Sequence, residues 1–598
     1  MADNKKTGGL SPEALAAIAK REAKQAAYLK NPDPLPISEP EAEEPFLELS
    51  PEEIMEECAL LPETDLGNAN RLLTRFGDRM HHVTHVGWHG FDGKRWLEDQ
   101  SGAVVRVMAH RTAELIEDEA IKLDCSESER ADIEAGKIAR EEMKALGKPG
   151  KGWDADKLKQ FEGLQKLIDA GELADKARRG RQSSRHNHAK SSAGSSKINN
   201  MMAEAVPYCS IAVQDLNTDL YAFNTQNGTL RFYSATVDGR TAWRCRLDKH
   251  RSKDLLSKLA EADVIADAPC HLFSQFLIRV MPDPDKRAFL QRYMGYCLLG
   301  LTGEQCLVFF YGAGRNGKST FVDLMVEILG DYAVSMSIDS FAGDSKRGGA
   351  EATPDLARLP GARLVAASEP EMGVQLKDAL IKTLTGGEPI AVRRLHQDFF
   401  ELVPHFKIIL SGNHKPQIRD DSDGIWRRVH LVPWEIQIPE EEVDRDLPRK
   451  LRQERDGVLA WMIKGALDYL DTGLRVPDSI RLATAEYREE SDPIGAFLRN
   501  ACDITGSDSD MERPDTMFDG YARYAAREGL SDFKKSTFAR RLPDQTRKTW
   551  KGPDGLMHSF RKARSNGAIY FGIRIRDEWR NERQGGYAPT SDDLPEAF

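Results

Sequence analysis

The sequence predicts a multidomain α/β protein built around a P-loop nucleotide-binding core. Three observations predict it. A chain of 598 residues exceeds what one hydrophobic core can organise, so several domains are expected. The apolar run Cys306-Leu-Val-Phe-Phe-Tyr311 leads straight into Gly312-Ala313-Gly314-Arg315-Asn316-Gly317-Lys318-Ser319, and Thr320 opens an amphipathic stretch that continues to 329. Between 305 and about 433, short apolar runs alternate with helical and loop segments, the pattern of a sheet with helices packed on it.

Residues 1–64 read as an acidic arm. The first 60 carry 13 acidic and 6 basic side chains, and proline and glutamate crowd 31–51. Such a composition buries little surface, so a partly disordered or loosely docked segment is expected. Residues 65–205 read as an N-terminal α+β region with a helical linker. Gly87-Trp-His-Gly-Phe-Asp-Gly-Lys-Arg-Trp96 alternates aromatic and polar residues around glycines, as a hairpin does. From 112 to 205 the composition is helical, with a turn at Gly147-Lys-Pro-Gly-Lys-Gly152. A second break is expected across 178–196, where Arg, Ser, Gly and Ala read as a solvated linker that could alternatively touch a phosphate backbone.

Residues 206–300 form the next unit. It is β-rich to 246, with an Asn-Gly hairpin signal in Asn224-Thr-Gln-Asn-Gly228, and then helical. Phe273, Phe276, Leu277 and Val280 share one helical face, and Phe289, Leu290, Tyr293 and Met294 the next. Residues 301–487 hold the nucleotide core and turn mainly helical after 433. Residues 488–598 carry helical patterns and then two short strands, near 556–561 and 568–576, compatible with a winged helix. The stretch 515–576 has 14 basic against 6 acidic residues, interleaved with aromatics, which favours a DNA-binding face.

The chemistry follows from the glycine-rich loop. Glycines let backbone N–H groups curl around phosphates, and the helix that follows adds its positive end. Gly312 through Thr320 is therefore assigned to ATP, with Lys318 reaching the β- and γ-phosphates and the Ser319 hydroxyl on Mg²⁺. A strand before and a helix after separate this from a chance glycine-rich turn. Such a site also needs an acid beyond a second strand. Arg363-Leu-Val-Ala-Ala-Ser-Glu369-Pro-Glu371 supplies Glu369 for the metal and the attacking water, with Glu371 two residues on. A third strand ends in Asn413, whose amide could orient that water, sense the γ-phosphate or merely cap a turn. Arg427 and Arg428 precede a fourth strand, and arginine stabilises charge on a transferring phosphoryl group, often from a neighbouring subunit.

Other classes are disfavoured. No run approaches 18 apolar residues and no signal-peptide core follows Met1, so no membrane partner and a cytoplasmic location are expected. The eight cysteines include no C-x-x-C pair, which leaves a zinc ribbon without ligands. His81, His82, His85 and His89 fall on both faces of an expected strand, which favours packing over metal binding. Asp283-Pro-Asp285 reads as a helix cap rather than a catalytic carboxylate pair.

In this order the motifs resemble the superfamily 3 helicases of the phage, plasmid and poxvirus primase–helicase family. Gly312 to Thr320 is similar to its Walker A motif, and the strand ending at Glu369 to its Walker B. Leu380 to Arg394 is similar to its own extra motif, Ile409 to Pro416 to its sensor 1, and Trp426-Arg427-Arg428 to its arginine-finger segment, with Arg428 the closer match. The likeness covers roughly 65–500. It implies an AAA+-like core and a hexameric ring that moves on single-stranded and forked DNA, for phage, prophage or plasmid replication in a bacterial host. Lys318, Ser319, Glu369 and Asn413 would then come from one subunit and Arg428 from its neighbour. The family's channel hairpin falls within 390–402, where Arg393, Arg394 and His396 would grip phosphates, though any of them could instead hold the hairpin in place.

One departure is that Ser368, not a second acid, precedes Glu369. The first 65 residues are too few for a primase domain, so a helicase without primer synthesis is expected, partnered by a separate primase or other replisome proteins. The alternatives are a non-helicase remodelling or packaging ATPase and a replication-initiation scaffold.

Overall fold

Five parallel strands set the frame of the molecule. In a computed structural model, which describes residues 35, 37–38, 49–237, 239–342, 353–368, 374–395, 398–418, 423–529, 533–564 and 568–580, they are β1 (Leu307–Tyr311), β2 (Ala333–Ser337), β3 (Leu364–Ser368), β6 (Lys407–Gly412) and β7 (Val429–Pro433). Their order in the sheet is β2-β3-β6-β1-β7. Two further strands, β4 (Ile390–Val392) and β5 (Phe400–Leu402), form a separate antiparallel hairpin. Helix α1 (Lys318–Leu329) follows β1.

The sheet is covered on both faces, which is why its strands read as unbroken apolar runs rather than alternating ones. Val308 and Phe310 of β1 pack with Phe321 and Met325 of α1 on one side. Leu307 and Phe309 pack with Ile381, Leu384 and Leu410 on the other. The first of these cores also takes in Phe223, Phe273, Phe289 and Tyr293 from residues 206–300, and Leu459 and Trp461 from the helix Arg455–Thr472. The core is therefore continuous across residue 300. The Tyr293 hydroxyl donates to the Ile408 carbonyl at 2.9 Å, fastening the helix Pro284–Tyr296 to β6. That helix is capped by Asp283, whose carboxylate accepts from the Asp285 amide at 2.9 Å, as the sequence predicts.

The N-terminal region is more embedded than expected. Ile37 and Ser38 pair in parallel with Cys245 and Arg246, adding a strand to the sheet formed by 222–225, 228–237 and 240–248. Helix Pro51–Leu60 opens on a capping box between Ser50 and Glu53 and buries Cys58 and Ala59. The hairpin expected at 87–96 is present, as strands Gly87–Phe91 and Trp96–Glu98. The histidines beside it pack: His81 lies 4.3 Å from the Trp96 ring and His82 edge-on to Trp88.

The linker expected at 178–196 requires correction. Helix Ala155–Ser192 runs through it and stops only just short of helix Ser195–Cys209. Two of its arginines are drawn into ion pairs, while Arg179 and Lys190 stay exposed. Arg185 is buried and pairs with Glu119 and, at 3.1 Å, with Glu63, while Arg181 meets Glu129 at 2.7 Å. Arg71 reaches the same fully buried Glu119 at 3.0 Å. Distant carboxylates thus hold in a helix a stretch whose composition suggests exposure. No helix among the described residues is long and apolar enough to cross a membrane.

Residues 493–575 fold as three helices (493–501, 514–528, 535–545) with short strands behind them, including the antiparallel pair 561–564 and 568–571. Several of the basic side chains here are locally neutralised: Arg561 by Asp508, Lys535 by Asp515, and Arg574 and Arg576 by Asp503.

Two partly buried histidines, His430 in β7 and His405 in the loop before β6, make stability sensitive to acid. Burial pushes both His405 and His430 down to about 4, and neighbouring Arg363 and Lys407 add to the effect at His405. Both are neutral when folded, whereas the unfolded chain takes up protons below about pH 6.5. Thermal stability is expected to fall as pH drops from about 6.5 towards 4, and His430→Phe to blunt the fall; an unaltered slope in that variant would remove His430 from the account.

Candidate functional site

Because all five strands are parallel, their C-terminal ends share one edge. Gly412 stands opposite Tyr311, and Ser368 opposite Ser411. The chain leaves β1 at that edge, turns through 312–317 and enters α1. Gly312 is fixed by close approach: a Cβ there would fall on the Trp434 carbonyl and the Asn316 amide. At Gly317, φ is +80° and a Cβ would lie 2.8 Å from Val280 and 2.9 Å from Phe276. Asn316 is buried and donates to the Trp434 carbonyl at 3.0 Å. Arg315 is exposed and faces Glu440 at 3.4 Å.

Lys318 is buried at the first position of α1. Its Nζ donates to the Gly312 carbonyl at 2.7 Å, to Asn316 Oδ1 at 3.0 Å and to Asn413 Oδ1 at 3.3 Å. Asn413, 95 residues away, arrives because β6 is next to β1 in the sheet. All three acceptors are neutral, and burial depresses the Lys318 pKa with no carboxylate among the described residues to offset it. Phosphate oxygens would complement this ammonium better than three dipoles do. Ser319 is exposed at the same helix start, Thr320 partly so, and Ala313 and Gly314 line the open side of the turn. The residues present thus fit a nucleotide polyphosphate, with the Ser319 hydroxyl free to meet a divalent cation. Glu369 and Glu371 lie outside the described residues, as does His396.

Arg427 and Arg428 lie at the other edge. The Leu307 amide, at the start of β1, donates to the Arg428 carbonyl at 2.7 Å. A five-residue strand separates the two edges by about 17 Å, so neither arginine reaches the 312–320 loop of its own chain. The pair differ in freedom. Arg428 is buried, with Nη1 on the Gly424 carbonyl and Nη2 on Gln305 Oε1 at 3.1 Å. Arg427 is exposed, and among the described residues its guanidinium meets that same Oε1 at 3.4 Å. Burial and the adjacent Arg427 both lower the Arg428 pKa. Gln305, which grips both, carries no signal in the sequence.

The hairpin predicted within 390–402 is β4 and β5, and Leu395 and Phe399 near its tip are exposed. Arg394 is not free to grip. Its Nη1 and Nη2 donate to the two Glu98 carboxylate oxygens at 2.7 and 2.9 Å, and this bidentate bond holds Glu98 below the usual carboxylate range. Arg394 thus takes the alternative role of holding the hairpin, here against the N-terminal sheet. Asp398 faces His85 of the same region at 3.6 Å. The Arg393 guanidinium lies 4.9 Å from the Phe399 ring centre, and its amide donates to Thr353 Oγ1 at 3.1 Å.

Comparison with known proteins adds to this geometry. The profile of a family described as "D5 N terminal like" matches residues 69–282, and that of a family of unknown function (DUF5906) matches 310–428. A protein of Acanthamoeba polyphaga mimivirus named as a helicase (L207/L206) is 28% identical over 240 residues, covering 37% of this chain and 25% of that one. Primase D5 of Fowlpox virus (strain NVSL) is 28% identical over 154 residues, 25% of this chain and 19% of its own. The matched stretches thus span a quarter or less of these relatives. The apo structure of the NrS-1 C-terminal region is 15% identical and covers 43% of this chain and 57% of that one, with a TM-score of 0.31, too low to define a shared fold.

Proposed function

The chain belongs to the phage and poxvirus primase–helicase family, and we propose that it acts there as a superfamily 3 DNA helicase. In this reading it has an AAA+-like ATPase core and works as a hexameric ring of identical subunits on single-stranded and forked DNA during phage, prophage or plasmid replication. The observation that carries it is the division of the ATPase groups between the two edges of one sheet. Lys318 and Asn413 meet at the edge where 312–317 turns, while Arg427 and Arg428 stand at the edge that the same chain's phosphates cannot reach. A second copy must bring its arginines to complete the site.

Within that site, the amides of 312–317 and Lys318 bind and orient the triphosphate, and Asn413 holds the attacking water or the γ-phosphate. Mg²⁺, held by the Ser319 hydroxyl and by Glu369 as the resemblance implies, would neutralise charge on the β- and γ-phosphates. The exposures favour Arg427 as the side chain that reaches across, with Arg428 bracing it from below. Arg393 and the exposed Leu395 and Phe399 of the hairpin suit contact with an unpaired strand. The basic faces of 514–564 suit a second contact with DNA.

Strand displacement on a forked duplex tests the reading, with Arg427→Ala subunits titrated into wild type. Unwinding is expected to require ATP and to fall faster than the wild-type fraction. ATP hydrolysis without unwinding would favour a remodelling or packaging motor. A fall strictly proportional to dilution would refute the shared site.

A further inference from the structure

The loop that follows β6 makes contacts in two directions. At its start, Asn413 Oδ1 meets the Lys318 ammonium at 3.3 Å. Two residues on, Lys415 Nζ donates to Glu490 Oε2 at 2.6 Å. The same ammonium lies 4.9 Å from the centre of the Tyr311 ring and 5.6 Å from that of Tyr487. Tyr311 is the last residue of β1 before the 312–317 turn, and Glu490 ends the helix Asp478–Glu490. One cation thus joins the strand that carries the nucleotide loop, the loop 413–418 and that helix. A carboxylate and two aromatic rings hold it in place.

The helix is fastened to the loop a second time. The buried Tyr487 hydroxyl donates to the Pro416 carbonyl, and its ring stands edge-on to Trp426 at 5.2 Å. Tyr487 belongs to one of the cores of the parallel sheet, whereas Ile494 and Phe497 belong to a separate core formed by the C-terminal helices. Asp492 lies between the two. It caps the helix Pro493–Ala501 by accepting from the Gly495 amide at 2.9 Å. It also accepts from Gln545 Nε2 at 3.1 Å and Lys548 Nζ at 3.3 Å, and Gln545 ends the helix Lys535–Gln545. A cavity of about 250 Å³ opens beside this junction, lined among others by Lys415, Gln417, Tyr487, Glu490, Phe533 and Arg541. The C-terminal helices therefore face the loop partly across open space, and can shift against it without opening either core.

We propose that Lys415 is a positioning residue that couples the nucleotide site to the C-terminal helices, with Glu490 as its partner. Phosphate oxygens that take up the Lys318 ammonium compete with Asn413 Oδ1 for it, so the start of the loop responds to what binds at 312–320. Movement there carries Lys415, and Lys415 carries Glu490. The shift passes through Asp492 to the helix Lys535–Gln545 and changes how the basic C-terminal faces meet DNA. The coupling rests on the helicase reading for both ligands, nucleotide and DNA. It is reciprocal by linkage, so DNA held by the C-terminal helices changes nucleotide affinity by the same factor.

The test uses the full chain, a fluorescent duplex oligonucleotide and a non-hydrolysable ATP analogue. Wild-type DNA affinity is expected to differ by about five-fold or more with and without the analogue. Lys415→Ala and Glu490→Gln should bring that ratio close to unity, while Lys415→Arg, which keeps a cation for Glu490 and the two rings, should retain it. Because the ratio compares one variant with itself, a change in its basal affinity or stability does not enter. Glu490 is exposed, so Glu490→Gln remains decisive if Lys415→Ala folds poorly. A second arm follows hydrogen exchange in the helix Lys535–Gln545 without DNA. The analogue should alter exchange there in wild type and in Lys415→Arg, but not in Glu490→Gln. A ratio and an exchange response that survive in Glu490→Gln would overturn the coupling. Wild type that binds both ligands with a ratio of unity and no exchange response would overturn it while leaving the helicase reading intact. Wild type that binds no analogue would sink the nucleotide reading and the coupling with it. Wild type that binds the analogue but no DNA would sink the helicase reading, and the exchange arm would still decide whether Lys415 relays.

Discussion

Lys318→Ala is expected to lower DNA-stimulated ATP hydrolysis by about 100-fold or more, with no loss of thermal stability. The first half follows from position. Among the described residues Lys318 is the ammonium buried at the turn of 312–317, and it already bonds to Asn413, the group proposed to hold the water or the γ-phosphate. Its removal takes away both the charge proposed to meet the β- and γ-phosphates and a hydrogen bond between the loop and Asn413. The second half follows from energetics. Lys318 is buried among neutral acceptors, and its pKa is lowered by that burial, so the folded state gains little from the charge. Phosphate release and thermal melting on the same preparation check both. Hydrolysis within a few-fold of wild type would remove Lys318 from the chemistry, and a large drop in melting temperature would mean the lysine's main role is structural.

Gly465→Val is expected to abolish the folded state. Helix Arg455–Thr472 crosses helix Pro284–Tyr296 with their backbones in direct contact, Gly465 against Gln291 and Gly295 against Gly465 and Ala466. A Cβ at Gly465 would fall on the Gln291 carbonyl oxygen, and one at Gly295 on the Ala466 amide nitrogen. Backbone cannot rotate aside as a long side chain can, so even one methyl forces the helices apart at a cost of about 3 kcal/mol or more. The separation would propagate, because Phe289, Leu290 and Tyr293 on one helix and Leu459 and Ile463 on the other belong to the core beneath α1. Soluble yield and circular dichroism measure the effect, with Gly465→Ala as the milder step. A Gly465→Ala protein that melts like wild type would show that the crossing has slack.

The parts of the site that the sequence makes legible are local. The loop from Gly312 to Ser319 announces itself because strand, turn and helix are contiguous, and Asn413 can be placed because a strand-ending amide follows in order. What is not legible depends on partners far along the chain. Arg394 finds Glu98 across 296 residues, and nothing near either predicts the pair. Arg185 and Arg181 lie in a stretch whose composition resembles a linker, and their partners Glu63, Glu119 and Glu129 all lie far from it in sequence. Resemblance points to Arg428, but which arginine is exposed depends on the turn that brings Gln305 beneath both.

Under the proposed shared site, placing the 312–317 loop and the arginine pair at opposite ends of the same strands would also dictate how copies associate. A contact that joins one end to the other is head-to-tail, so it cannot be satisfied by a two-fold dimer in which like patches meet. Each addition leaves one unmatched loop and one unmatched arginine pair, until the rotation per subunit closes the circle. An incomplete circle has one fewer working site than it has subunits. Closure, rather than pairing, would then be the step that makes every site whole, and a substitution that alters the rotation would yield open filaments instead.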